Sequence, residues 1–152
     1  MKFSKILVVC TGNICRSPVG AALLGSRCNL FVESAGLNAV VNANVEPQAL
    51  ALVKEKSGLD ISDHRARQIN LSMIKSADLI LTMTARQRYE VAQIMPAATG
   101  KTVLFGRWLG SAQGEEIIDP FRKSLAVFAT VHNQLVRAAD TWCNKLSEPL
   151  SR

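Results

Sequence analysis

The chain has 152 residues, of which 48% are hydrophobic and 20% charged, and this length predicts a single domain over residues 1–152 with a sizeable core. The formal net charge is +6, but the basic residues are scattered and aromatic residues make up only 5%, which argues against a nucleic-acid-binding protein. No apolar run approaches the ~20 residues of a membrane-spanning helix, and the apolar run near the N-terminus is too short for a signal peptide, so we expect a cytoplasmic protein without membrane insertion.

Strand and helix patterns alternate along the chain. Four apolar or β-branched runs are predicted strands: 5–9, 30–32, 78–83 and 102–105. Four longer segments are predicted helices: about 18–27, 47–56, 85–94 and 122–146. This alternation predicts an α/β fold, in which an open, parallel, four-stranded sheet carries helices on both faces. A ligand site is then expected at the carboxyl ends of the strands.

The loop after the first strand carries the strongest chemical signal. Residues 10–17 read Cys-Thr-Gly-Asn-Ile-Cys-Arg-Ser. A short loop at a helix N-terminus points successive backbone N–H groups at one spot, where an oxyanion can bind. Arg16 adds a planar fork of donors that suits phosphate, and Cys10 lies where positive potential favours a thiolate. This combination predicts phosphoryl transfer through sulfur.

Each residue type in this loop fits one geometry. Gly12 and Asn13 tolerate left-handed backbone angles, Ser17 is predicted to cap the following helix, and Pro18 fits its first position. Taken alone, Cys10 could equally be a small buried apolar residue. The predicted phosphate-binding residues are Thr11, Gly12, Asn13, Ile14, Cys15, Arg16 and Ser17.

The run from Val8 to Pro18 closely resembles the signature loop of the low-molecular-weight protein tyrosine phosphatases. The resemblance covers nearly the whole chain, through further segments in the family's order and at about its spacing: 33–36, 64–68, 78–83 and 119–121. The bacterial branch associated with capsule and exopolysaccharide synthesis is the most similar, partly through residues 119–124.

The resemblance implies a two-step hydrolysis of phosphotyrosine. Cys10 would attack phosphorus and form a cysteinyl-phosphate, while Arg16 and the loop amides hold the phosphate oxygens. Asp119 would protonate the leaving phenolate and then activate water. Without the resemblance, Asp119-Pro120 reads as a turn before the last helix. No metal and no organic cofactor are implied.

The family also implies supporting residues and a substrate rim. Ser17 would hydrogen-bond the sulfur, and Asn13 would be held in a left-handed conformation by Ser34 and His64. By itself, His64 is as readily a structural histidine. The expected rim, which carries phenylalanine where many members have tyrosine, consists of Ile14, Leu37, Val40, Val41 and Phe121.

The four cysteines lack the paired spacing of a zinc site. Cys15 is a candidate redox partner that captures oxidised Cys10 as a reversible disulfide, although it could simply pack behind the loop. We expect a mostly monomeric protein. The bacterial resemblance implies that its substrate is the tyrosine-rich tail of a membrane tyrosine autokinase that controls polysaccharide export.

Three alternative functions stay open. Protein-arginine phosphatases share the scaffold and can carry phenylalanine after Asp-Pro, but they have threonine where this chain has Ile14. Arsenate reductases of this scaffold need a further cysteine pair, and residues 83–98 contain no cysteine. A non-catalytic phosphotyrosine-binding module would need Arg16, with less reason to retain both Cys10 and Asp119.

Overall fold

The computed structural model describes residues 3–28 and 30–147. Its four strands form one parallel sheet of order β2-β1-β3-β4: β1 (Lys5–Cys10), β2 (Phe31–Gly36), β3 (Leu79–Thr82) and β4 (Thr102–Leu104). Five α-helices connect and flank the strands: α1 (Arg16–Arg27), α2 (Pro47–Ser57), α3 (Leu71–Ser76), α4 (Ala85–Ile94) and α5 (Leu125–Ser147). A 3₁₀ helix covers Pro96–Lys101. The predicted open, parallel, four-stranded sheet is confirmed.

Alternate residues of β1 face two separate hydrophobic cores, as the period of two in a strand requires. Ile6 and Val8 pack into the larger core with residues of α1, α2 and α5. Leu7 and Val9 pack into the smaller core with residues of α3 and α4. Helices therefore cover both faces of the sheet, and the central strands are buried on both sides, which explains their continuous apolar runs.

The strand register brings three loops to one edge of the sheet. Cys10, the last residue of β1, pairs with Gly36, the last residue of β2, and Val9 pairs with Thr82 at the end of β3. The loop 10–15, the segment after Gly36 and the start of α4 therefore meet at the carboxyl edge, where we expected the site.

Several predicted boundaries were wrong. The second strand begins at Phe31 and extends to Gly36, beyond the predicted 30–32, because pairing with β1 includes the polar Glu33 and Ser34. The last helix begins at Leu125, not at Arg122, which has a left-handed φ of 63°. The Ser124 hydroxyl accepts the Val127 N–H at 3.3 Å instead and caps this helix.

Two short elements escaped prediction. The helix α3 and the 3₁₀ helix each span only six residues, which is too short for a helical period to show in the sequence. Among the described residues, no helix has the length and apolar character needed to cross a membrane.

Candidate active site

The loop after β1 turns all of its carbonyl groups outward. The carbonyls of residues 10–14 accept hydrogen bonds of 2.8–3.0 Å from five groups outside the loop: the N–H groups of Leu37, Asn38, Val40 and Glu46, and His64 Nε2. In a trans peptide the N–H points opposite to the preceding carbonyl, and the described residues contain no cis peptide. The N–H groups of residues 11–15 therefore point toward the centre of the loop and form a cradle for an anion.

The Cys10 side chain lies at the floor of this loop, and the residue as a whole is 2% exposed. The Ser17 Oγ lies 3.0 Å from Cys10 Sγ, and the Asn13 amide donates to the same Oγ at 2.7 Å. Because the Ser17 oxygen accepts from Asn13, its hydroxyl hydrogen is left to donate toward the sulfur. Such a bond stabilises a thiolate.

The predicted start of the first helix, at about Pro18, was wrong, because the Ser17 hydroxyl contacts Cys10 and Asn13 and does not cap the helix. The helix α1 begins at Arg16, and its cap residue, Cys15, makes no side-chain capping bond. Ser17 lies inside the helix, where its hydroxyl serves Cys10 and Asn13 instead of the helix terminus. Pro18 is consequently the third helical residue and not the first.

Asn13 has a left-handed φ of 61°, while Gly12 does not adopt a positive φ. The Asn13 amide nitrogen also donates to Ser34 Oγ at 3.0 Å, and its Oδ1 accepts from the Arg67 N–H at 2.9 Å. With His64 on its carbonyl, every polar group of the Asn13 side chain and its C=O has a partner. These bonds hold a backbone conformation that an ordinary residue adopts only at a cost.

His64 supports the loop from behind. It is half-buried, and its Nε2 lies 2.8 Å from the Asn13 carbonyl oxygen, so Nε2 carries the donated hydrogen. Burial lowers the pKa of His64, the bond to Asn13 opposes this shift, and Arg67 adds to the lowering. The imidazole is therefore neutral at pH 7.

Arg16 connects the loop to the segment that carries Asp119. The guanidinium is buried, and its Nη1 donates to the Ile117 carbonyl at 2.8 Å. Its Nη2 lies 3.9 Å from Asp119 Oδ2, and its Nε has no hydrogen-bond partner among the described residues. An unpaired buried donor is costly, and an oxyanion in the loop is the kind of group that would satisfy it.

Asp119 lies at the mouth of the site with its side chain 53% exposed. Its Oδ1 accepts the Phe121 N–H at 3.0 Å, which fixes the turn that carries the carboxylate. Asp119 lines the same cleft as Arg16 and Thr11, and this cleft has a volume of about 810 Å³. A carboxylate placed there can exchange protons with a group bound over the loop.

One wall of this cleft was absent from our predictions. The helix α4 contributes Arg86, Tyr89, Glu90 and Ile94 to its lining. Gln87, also on α4, is buried, donates to Thr11 Oγ1 at 3.1 Å and accepts from the Met83 N–H at 2.8 Å. The available signal was the position of α4 directly after a central parallel strand, whose carboxyl end borders the site.

The structure brings only part of the expected rim to the cleft. Leu37 lines the cleft, and a Cβ on Gly12 would lie 3.6–3.7 Å from atoms of Ile14 and Val40. Val40, Val41 and Phe121 are largely exposed, each by more than 40%. Ile14, Val40, Val41 and Phe121 are not among the residues that line the cleft, so their contact with a bound side chain stays a prediction.

Cys15 is buried behind the loop, and burial, with Asp119 and Cys10 adding smaller effects, raises its pKa to about 12. It is a neutral thiol at pH 7. Within residues 3–28 and 30–147, no group of three or more His, Cys, Asp or Glu side chains is placed to hold a metal ion.

Comparison with known proteins agrees with this geometry. The family model described as low molecular weight phosphotyrosine protein phosphatase matches residues 5–152. The low molecular weight protein-tyrosine-phosphatase Etp of Escherichia coli K12 is 42% identical over 148 residues, which cover 97% of each chain.

Solved structures show the same fold. The crystal structure of the Erwinia amylovora tyrosine phosphatase AmsI has a TM-score of 0.90 at 41% identity, covering 96% of this chain and 95% of AmsI. Vibrio vulnificus Wzb in complex with benzylphosphonate has a TM-score of 0.89 at 37% identity, covering 95% of this chain and 99% of the Wzb chain. The chain belongs to the low molecular weight phosphotyrosine protein phosphatase family.

Proposed function

We propose that this protein hydrolyses phosphotyrosine in proteins through a cysteinyl-phosphate on Cys10. One observation carries the proposal: Cys10 Sγ lies at the floor of a loop of inward-pointing amides, 3.0 Å from Ser17 Oγ. The same loop contains the buried guanidinium of Arg16. A thiolate beneath a preorganised oxyanion site is suited to attack phosphorus.

The first step breaks the bond between phosphorus and the tyrosine oxygen. The Cys10 thiolate attacks phosphorus, Arg16 and the loop amides bind the equatorial oxygens, and Asp119 gives its proton to the leaving phenolate. Ser17 stabilises the thiolate before attack and again when sulfur departs. In the second step Asp119 takes a proton from water, whose oxygen attacks the cysteinyl-phosphate and releases phosphate.

The burial of the sulfur supports phosphotyrosine as substrate. Because Cys10 is 2% exposed, a phosphate must reach the loop on a long side chain, and phosphoserine is too short. Ile14 is apolar where an arginine phosphatase has a polar threonine, which favours an aromatic ring over a guanidino group. Benzylphosphonate, the ligand of the Wzb relative, has a benzyl group joined to phosphorus and so resembles phosphotyrosine.

The proposal also covers the physiological setting of the reaction. We propose a tyrosine-rich autokinase tail as the substrate and a role in polysaccharide synthesis, because the chain resembles the bacterial capsule-associated branch. We place the reaction in the cytoplasm, because it needs Cys10 as a thiol and reducing compartments preserve thiols. All four cysteines are free in the structure. We propose a monomer as the working unit.

Steady-state hydrolysis of matched phosphotyrosine and phosphoarginine peptides, without added metal, tests the proposed function. We expect phosphotyrosine turnover by the wild-type protein and none by Cys10→Ser. The Asp119→Ala variant should lose about 10²–10⁴-fold in kcat, the usual contribution of a general acid and base. The Cys28→Ser variant is the matched control, because Cys28 lies at the far end of α1, and it should retain full activity.

Other outcomes would overturn parts of the proposal. A preference for phosphoarginine would keep the chemistry and replace the substrate. Tight binding of the phosphotyrosine peptide without turnover would identify a binding module and contradict the assignment of Cys10 as nucleophile.

A further inference from the structure

The cleft continues well beyond the loop that would hold the phosphate. Its volume of about 810 Å³ lies near the upper end of the range for small-molecule pockets. The cleft is lined by Thr11, Arg16 and Asp119 of the proposed phosphate site and also by several residues of α4. A phosphotyrosine side chain in the loop therefore leaves a groove along α4 unfilled.

Four apolar side chains line this outer groove among polar neighbours. Tyr89 is 58% and Ile118 54% exposed, Ile94 is 39% exposed, and Leu37 is half-buried. Tyr89 is the single tyrosine of the chain. Exposed apolar side chains that gather on one concave surface indicate a contact for an apolar partner group.

The charged residues of the cleft are paired with one another. Arg86 Nε lies 3.6 Å from Glu90 Oε2 on the same face of α4, and Arg16 Nη2 lies 3.9 Å from Asp119 Oδ2. Both arginines that line the cleft thus have a carboxylate partner among the described residues. The outer groove therefore offers little net charge to a flanking acidic or basic residue.

A hydrogen bond links two walls of the outer groove. The Ala85 N–H at the start of α4 donates to Glu116 Oε2 at 2.8 Å, and Glu116 lies on the segment that carries Ile118 and Asp119. The groove therefore lies beside the reacting groups and is continuous with the proposed phosphate site.

We infer that the groove lined by Leu37, Tyr89, Ile94 and Ile118 is a specificity subsite that binds an apolar or aromatic residue flanking the phosphotyrosine of the substrate protein. The inference rests on the proposed function and deepens it, because it names the kind of sequence in which the phosphotyrosine stands. A run of neighbouring tyrosines would meet this requirement.

Phosphotyrosine peptides of equal length, flanked on both sides by phenylalanine, serine or aspartate, test the subsite, with a small aryl phosphate as reference substrate. For the wild-type protein we expect kcat/KM for the phenylalanine peptide to exceed that for the serine peptide by about tenfold. This is the effect expected when roughly 50–60 Å² of apolar surface leaves water. The aspartate peptide should be no better than the serine peptide.

The double variant Tyr89→Ser/Ile118→Ser should reduce this preference to about twofold or less, since it removes most of the apolar contact surface. Tyr89→Phe keeps the ring and should retain the preference. The matched control is Leu71→Ser, because Leu71 is 49% exposed on α3 and does not line the cleft, and this variant should also keep the preference.

A wild-type protein without the preference, or a double variant that retains it, would contradict the subsite. So would a preference for the aspartate peptide. Binding of the same peptides to the Cys10→Ser protein provides a readout independent of turnover. If the wild-type protein fails to hydrolyse even the aryl phosphate, the proposed function is contradicted. Binding of the three peptides to the Cys10→Ser protein still supports or contradicts the subsite in that case.

Discussion

At the scale of single residues, the polar side chains around Cys10 form one continuous hydrogen-bond network. Ser17 contacts the sulfur, Asn13 contacts Ser17, and Ser34 contacts Asn13. His64 holds the carbonyl of the same Asn13. Because each bond restrains the next group, the position of the sulfur depends on residues that cannot themselves touch a substrate.

Asn13→Ala is expected to damage both stability and catalysis. Alanine in the left-handed conformation costs about 1–2 kcal/mol, and the lost side-chain bonds add about 1 kcal/mol each. With three side-chain bonds lost, the free energy of unfolding measured in urea should therefore fall by about 4–5 kcal/mol. The kcat should fall by at least about tenfold, because one misplaced group is enough to lower the rate that much.

Asn13→Gly separates the two causes of this loss. Glycine adopts the left-handed conformation without strain but cannot make the side-chain bonds. It should recover part of the stability of Asn13→Ala and little of its kcat. Wild-type kcat in both variants would show that the network does not position the loop.

Cys15 provides a second prediction at this scale. We propose that a hydroperoxide oxidises the Cys10 thiolate to a sulfenic acid with release of water or an alcohol. The Cys15 thiol then attacks that sulfur, forms a disulfide and releases water. Burial, with smaller effects of Asp119 and Cys10, raises the pKa of Cys15 to about 12. Because little of the Cys15 thiol is ionised at neutral pH, its attack on oxidised Cys10 should become faster as pH rises.

Dithiothreitol should consequently restore activity to the peroxide-treated wild-type protein but not to Cys15→Ser, in which Cys10 proceeds to irreversible acids. Cys28→Ser should behave like the wild-type protein. Full recovery of Cys15→Ser after the same treatment would rule out Cys15 as the redox partner.

At the scale of elements, the close approach of β2 to the loop after β1 depends on Gly36. A Cβ at Gly36 would lie 2.6 Å from the Thr11 carbonyl oxygen, closer than real Cβ atoms come, and 3.0 Å from Asn13 Cβ, which is unusually tight. The bare backbone of Gly36 lets the end of β2 lie directly against the loop. The segment after it can then hydrogen-bond the loop carbonyls.

The contact between α2 and α5 should make stability depend on pH. His132 of α5 is buried, its Nε2 lies 3.5 Å from Ser57 Oγ, and burial, followed by the charges of Lys56 and Arg27, lowers its pKa. The unfolded chain, whose histidine pKa is near 6.5, then binds more protons than the folded protein. The stabilising contribution of the neutral, buried His132 is therefore fully present above about pH 6.5. It declines as the pH falls through the lowered folded pKa.

Urea unfolding of the wild-type protein and His132→Gln at about pH 7.5 and about pH 5.5 measures this dependence. We expect the wild-type protein to lose more free energy of unfolding between these values than the variant loses. His64, whose pKa is also lowered, accounts for part of the loss in both proteins. An equal loss in both would contradict the assignment to His132.

At the scale of the whole molecule, the features that the sequence predicted well are those with local signals. Continuous apolar runs such as 79–82 indicated buried parallel strands, and the loop 10–17 contained its nucleophile, arginine and turn residues in one segment. The fold class and the family could both be predicted, because the long elements carry periods and the motifs stand in order along the chain.

The features that the sequence did not predict arise from contacts between distant segments. Tyr89 and Gln87 lie at least 70 positions from the loop 10–17, and only the parallel order of β1 and β3 brings α4 beside it. Ser17 fits a helix cap by residue type, yet tertiary contacts with Cys10 and Asn13 use its hydroxyl instead. At a functional site, tertiary contacts can override the secondary-structure preference of a residue.

The formal net charge of +6 also acts on the molecule as a whole. Scattered basic residues produce a positive field that attracts anionic phosphoproteins and favours their encounter with the cleft. This attraction acts on the net charge of the partner and not on its sequence, and salt screens it over about 8–10 Å. Selection among phosphotyrosines must therefore depend on short-range contacts such as those of the outer groove.

The central claim is that Cys10 accepts the phosphoryl group, and trapping that intermediate tests it most directly. The Asp119→Ala variant would be mixed with a small aryl phosphate whose leaving group needs no proton, quenched in denaturant and digested for mass spectrometry. Phosphorylation of sulfur then proceeds while hydrolysis slows, because the base that activates water is missing. We predict one phosphoryl group on the peptide that contains Cys10, and none in a Cys10→Ser/Asp119→Ala control. Aryl phosphate turnover without a phosphoryl group on Cys10, or with that group on another residue, would contradict the account.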